Sequence, residues 1–189
     1  MFINPQQAID LGWITGIKDA KKQVQPNATD FTLDTLMSID STQTAYISEG
    51  SKVMRDATVM QPNNGIWTLE GGKVYDGTSD MFVSIPQGYA AILWTRSTFA
   101  RNGVFIMSGL YDTGYNGHVG FTIYTVGGPI EIEKGTRIGQ IGFIKAENAG
   151  VYAGGYNHQQ GSTWDTKGLE QGSRIGSEGG KPAGSQSFI

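Results

Sequence analysis

The sequence predicts an all-β domain: a sandwich, jelly roll or barrel. Two observations carry that expectation. Short apolar or alternating runs recur roughly every ten residues, and clusters of turn-forming residues separate them. Composition agrees, since glycine supplies 28 of 189 residues, about twice its usual share. At the N-terminus Asn4 is placed to cap a short helix and Pro5 to fill its first position. Ala8, Ile9, Leu11 and Trp13 give that helix apolar surface, and Gly16 closes the stretch. Strand-like runs follow at residues 31–33, 44–47, 81–85, 89–94, 119–124, 130–132 and 138–143. The breaks fall at 62–65, 70–72, 86–88 and 127–129, and at the pairs Asp76-Gly77 and Asn116-Gly117. Beyond the first helix, only Ser97–Arg101 reads as helical. The expected organisation is one β domain over residues 1–150 and a glycine-rich C-terminal arm over 151–189. The arm holds nine glycines and few aliphatic residues. That composition describes a floppy tail as well as an arm that orders over a ligand or a neighbouring subunit.

Composition also narrows the chemistry. There is no cysteine, which excludes a disulfide framework, a thiolate nucleophile and any zinc site built on sulfur. The two histidines, His118 and His158, are too few for a histidine-rich metal cage. No run of about 18 apolar residues occurs, so no membrane partner is expected. The opening Met1-Phe2-Ile3-Asn4-Pro5 lacks a basic-then-apolar layout. The expected location is therefore cytoplasmic, or the host cytoplasm if a phage or virus encodes the chain. With 14 Lys and Arg against 17 Asp and Glu, the chain suits a nucleic-acid partner poorly. A small anion stays open, because backbone N–H groups bind it without net positive charge.

Three polar clusters stand out. In residues 95–103, Arg96 and Arg101 bracket Ser97 and Thr98 at the start of a helical turn. Guanidinium, hydroxyl and free N–H groups together suit phosphate oxygens; the same residues also describe two surface arginines beside a capped turn. In residues 108–118, Asp112 sits between apolar residues and a glycine-rich hairpin. A carboxylate there can orient an attacking water, or simply make an ordinary Asp turn. The third cluster, 134–140, feeds a turn into a strand and ends on Gln140, whose amide can recognise another amide or a phosphate.

In their order and spacing these segments resemble the dUTPase and dCTP deaminase superfamily. Residues 25–33, Gln-Pro-Asn-Ala-Thr-Asp-Phe-Thr-Leu, are similar to its "QP-x-S-x-D-L-x-L" segment. Residues 96–101, Arg-Ser-Thr-Phe-Ala-Arg, resemble the phosphate motif "R-S-S-L-x-R" in its deaminase flavour. Residues 109–118 resemble the nucleoside hairpin "G-W-I-D-x-G-[FY]-x-G-H", and residues 135–140 resemble "G-x-R-I-[AG]-Q". The resemblance implies a distorted jelly roll, or β-clip barrel, assembled as a homotrimer with sites shared between subunits. It implies a deoxynucleoside triphosphate substrate and a magnesium ion carried by the triphosphate. Phosphate contacts would come from Arg96, Ser97, Thr98, Arg101 and Gln140. The nucleoside would lie against Met107, Ser108, Gly109, Leu110, Tyr115 and Thr122, with Tyr115 under the deoxyribose.

One departure separates the two branches of the superfamily. The deaminases carry a proton-shuttling Glu ten residues after the hairpin Asp, and here that position is Thr122. A hydroxyl cannot do that work near neutral pH, and no carboxylate occurs between Thr113 and Ile130. A dUTPase needs only the hairpin Asp to activate water, and Asp112 matches it. The expected reaction is dUTP and water giving dUMP and pyrophosphate. A deaminase acting on dCTP or a modified dCTP, and a non-catalytic nucleotide- or protein-binding homologue, are the alternatives. In the arm, residues 174–185 loosely echo the dUTPase lid and residues 155–161 the deaminase arm. Tyr156, His158, Gln160 and Arg174 are the lid candidates.

Overall fold

The computed structural model describes residues 1–153. In chain order its elements are α1 (Pro5–Asp10), β1 (Ile14–Thr15), α2 (Ala20–Gln23), β2 (Thr29–Thr32), β3 (Thr35–Ile39), β4 (Tyr46–Ile47), β5 (Lys52–Val53), β6 (Ala57–Val59) and β7 (Ile66–Leu69). They continue with β8 (Val74–Ser84), β9 (Tyr89–Thr95), α3 (Ser97–Arg101), β10 (Val104–Met107), β11 (Asn116–Thr125), β12 (Ile130–Glu133) and β13 (Arg137–Lys145). The fold is all-β, as expected. Among the described residues no helix is long and apolar enough to cross a membrane.

The largest sheet runs β10-β11-β8-β3-β6, with β1 also pairing to β8. A second sheet runs β2-β13-β9, and the pairs β12-β7 and β4-β5 complete the described strands. The core between the two main sheets shows why glycine sits inside strands. On the second sheet, the ring of Phe31 covers Gly139, so a Cβ there would collide with it. On the large sheet, a Cβ on Gly77 would lie 2.5 Å from the Phe121 ring. The two rings meet at 4.9 Å. Each glycine thus leaves room for an aromatic ring, and the rings fill the space between the layers.

Asn4 caps α1 as expected, its side chain accepting from the Gln6 N–H at 2.9 Å. Four readings from sequence need correction. Asp76 and Gly77 are no turn; they lie inside β8, and residues 81–85 are mostly its C-terminal end. Asn116 and Gly117 likewise begin β11, paired with Ser84 and Val83. The break expected at 62–65 does form a turn, at Asn64-Gly65, with φ of 48° and 81°, closed by reciprocal hydrogen bonds between Asn63 and Ile66. Finally, α2 is a further helix, where the Asp19 side chain accepts from the Lys22 N–H.

The domain also packs slightly beyond residue 150. The Tyr152 N–H donates to the Thr113 carbonyl at 2.8 Å, and its ring meets Tyr115 edge-on at 5.8 Å. The lid candidates Tyr156, His158, Gln160 and Arg174 lie outside the described residues.

Candidate functional site

The strongest site is built on the loop between β10 and β11. Alternation along the chain sets its geometry. Tyr111 turns inward, where it exchanges two backbone hydrogen bonds with Ala91. Its hydroxyl holds Gly120, accepting from that N–H at 2.9 Å and donating to that carbonyl. Thr113 also turns inward, donating from its hydroxyl to the Pro86 carbonyl at 3.0 Å. Asp112, between them, is exposed. The Gly114 N–H donates to Ile85, and the Ile85 N–H to Tyr115. The loop is thereby fastened to the β8–β9 turn, and Asp112 is presented from a fixed backbone.

This loop and the faces of β8 and β11 enclose a cleft of about 360 Å³. Met107, Ser108, Gly109, Leu110, Asp112, Tyr115 and Thr122 all line it. The structure therefore brings together the expected water-activating Asp and the whole expected nucleoside set. Tyr115 is largely buried, meeting Tyr111 edge-on at 5.0 Å and donating its hydroxyl proton to the His118 carbonyl at 2.7 Å. Met107 and Leu110 remain 55% and 56% exposed, an open apolar rim suited to a base or sugar face.

One wall of the cleft is a residue that sequence reasoning missed. Asp76 lines it and stands directly opposite Thr122 in the β8–β11 register. Burial pushes its carboxyl up to about 7, with a hydrogen bond from the Gly77 N–H pulling the other way. Only strand pairing places it there, and an Asp-Gly dipeptide reads locally as a turn.

The expected phosphate residues lie apart from this cleft. Arg96 lines a second, basic recess with Lys18, Lys22, Thr32, Thr136 and Arg137. Its Nε lies 3.3 Å from the fully buried Asp30 carboxylate, which also takes Arg137 at 2.9 Å. Gln140 donates to the other Asp30 oxygen at 2.8 Å, so its amide anchors this network and does not line the recess. Ser97, Thr98 and Arg101 are exposed outside the lining. Lys18 bridges Asp34 at 2.6 Å and Asp80 at 2.8 Å. Burial alone would raise the Asp34 carboxyl, but hydrogen bonds from Lys18, Thr32 and the Asp80 N–H outweigh it and hold it below its usual value. Sequence reasoning missed Lys18 and Lys22 here; Arg137 lay within a quoted motif without a role.

The cleft and the recess sit on a chain that belongs to the dCTP deaminase-like family, whose model matches residues 6–146. A curated relative from Halobacterium salinarum, a probable deoxyuridine 5'-triphosphate nucleotidohydrolase, is 25% identical over 76% of this chain and 88% of its own. One of the same description from Methanothermobacter thermautotrophicus is 28% identical over 73% of this chain and 90% of its own. Among solved structures, the 2'-deoxycytidine 5'-triphosphate deaminase of Agrobacterium tumefaciens aligns with a TM-score of 0.58 at 18% identity. That alignment covers 75% of this chain and 46% of the Agrobacterium chain, and it shows a shared fold. The expected superfamily and its all-β fold are thus borne out.

Proposed function

We propose that this protein is a dUTP nucleotidohydrolase, cleaving dUTP with water to dUMP and pyrophosphate. The observation that carries the reading is Asp112, exposed on an anchored loop at a cleft whose wall offers Thr122 at the family's Glu position. Asp112 accepts a proton from water, the water oxygen attacks the α-phosphorus, and the bond from that phosphorus to the bridging oxygen breaks. Pyrophosphate leaves with the bond's electron pair. Both curated relatives named above carry this activity in their descriptions.

In this reading the nucleoside occupies the hairpin cleft and the triphosphate meets Arg96 and its basic recess. Among the described residues the two recesses share no lining residue within one chain. In this reading a complete site joins the cleft of one copy to the recess of another, within the homotrimer implied by the resemblance. Ser97, Thr98 and Arg101 would reach the phosphates from α3, and Gln140 would hold Asp30 in place. Among the described residues no three His, Cys, Asp or Glu side chains cluster to hold a metal. In this reading magnesium would enter as part of the substrate, on phosphate oxygens and waters.

Asp112→Asn tests the assignment. Turnover of dUTP should fall at least about a hundredfold, the low end of general-base contributions. Affinity for dUTP should stay within about tenfold, since water activation is not substrate binding. Separation of products from dUTP and dCTP with magnesium completes the test. Pyrophosphate from dUTP supports the reading, and ammonia released from dCTP contradicts it.

A further inference from the structure

The cleft holds a second carboxyl besides Asp112. Asp76 lies near the start of β8, with Thr122 of β11 on one side and Met37 of β3 on the other. It is only 9% exposed, and that exposure opens into the cleft. Among the described residues no Lys, Arg or His lines the cleft, so none of them sets a cation beside the carboxyl. The neighbouring titratable groups are Asp112 at the rim, Tyr115, Tyr152 and Tyr111. Burial pushes the Tyr111 hydroxyl far up, so it stays neutral. The adjacent strands present Met37, Thr122 and, across from Thr122, Met107 of β10, none of them charged. Burial without a counter-charge favours the protonated carboxyl, and here it raises the pKa to about 7.

A protonated carboxyl offers one donor and one acceptor side by side; an ionised one offers two acceptors. Uracil presents the matching pair, an accepting 4-oxo oxygen beside a donating N3–H. We propose that Asp76 is the specificity-determining residue for the nucleobase: its O–H donates to the 4-oxo oxygen and its carbonyl oxygen accepts from N3–H. The ionised form turns lone pairs on the 4-oxo oxygen and repels it. The proposal rests on the reading of this cleft as the nucleobase half of the dUTP site. It assigns Asp76 a recognition role, on the strand beside the position where the deaminases carry their proton-shuttling Glu.

The test is dUTP binding across pH in the Asp112→Asn background, with and without Asp76→Asn. Asparagine keeps one donor and one acceptor but cannot ionise. With Asp76 present, affinity should fall about thirtyfold between pH 6 and 8.5 relative to the Asp76→Asn form, as expected for one group titrating near 7. The nucleotide's own phosphate titration is common to both forms and cancels. Identical profiles would overturn the proposal and leave the dUTP reading standing; no dUTP binding by either folded form would overturn both. A ligand-free measurement keeps the assignment falsifiable if nucleotide binding is weak. Asp76 takes up its proton at about 7 when folded and at 3.8 when unfolded, so stability is lost as pH rises between those values. Asp76→Asn should therefore raise Tm more at pH 8 than at pH 5, and an equal shift at both would overturn the proposal.

Discussion

Asp30 holds two guanidiniums and one amide on its two carboxylate oxygens, inside a sheet where its side chain is 1% exposed. Its burial is tolerated because both carboxylate oxygens face donors, and one negative charge against two positive ones leaves the recess basic. Arg96 and Arg137 are 30% and 29% exposed, so each can still reach a ligand. Asp30→Asn should cost about 3 kcal/mol in urea unfolding, because it leaves the two cations without their charge partner. Unchanged stability would mean that solvent replaces the carboxylate. Residues of this kind were only partly legible in the sequence. Asp112 and Thr122 are fixed by counting along one hairpin. Gln140 was legible as a polar residue at the right place, but its partner is Asp30, set by the β2–β13 pairing. Asp76 was invisible for the same reason: its neighbour is Thr122, which only the β8–β11 register brings beside it.

At the scale of elements, the dipeptides Asp76-Gly77 and Asn116-Gly117 show where local propensity loses. Both have turn chemistry, and both sit in paired strands. At Gly77 the long-range reason is steric, since the Phe121 ring occupies the volume a side chain would need and Leu33 stands 3.1 Å from the same point. Gly77→Ala should therefore destabilise the fold by about 1–3 kcal/mol, the usual cost of overpacking a filled core. Thermal unfolding measures it, and a wild-type Tm would show that Phe121 yields without cost. Where propensity and packing agree, the sequence was readable: the Asn4 cap, the turn at Asn64-Gly65, and the strands β9, β11, β12 and β13. Short strands such as β1 and β6 carry too few residues for a period to show, and α2 is only four residues long.

At the scale of the whole molecule, the proposed site carries one structural demand. The cleft carrying Asp112 and the recess carrying Arg96 must come from different copies of the chain. Motif order made both halves legible, yet nothing in a linear sequence says that they have separate linings within one copy. Mixing two inactive variants tests this demand and the proposed hydrolysis together. Asp112→Asn removes the water-activating group, and Arg96→Ala removes a phosphate contact from the opposite half-site. If adjacent copies build each site, random reassembly of an equal mixture restores dUTP hydrolysis to about a quarter of the wild-type rate, because one pairing in four joins two intact halves. Pyrophosphate release that stays at the level of the separate variants, from a mixture shown to have exchanged subunits, would contradict the account.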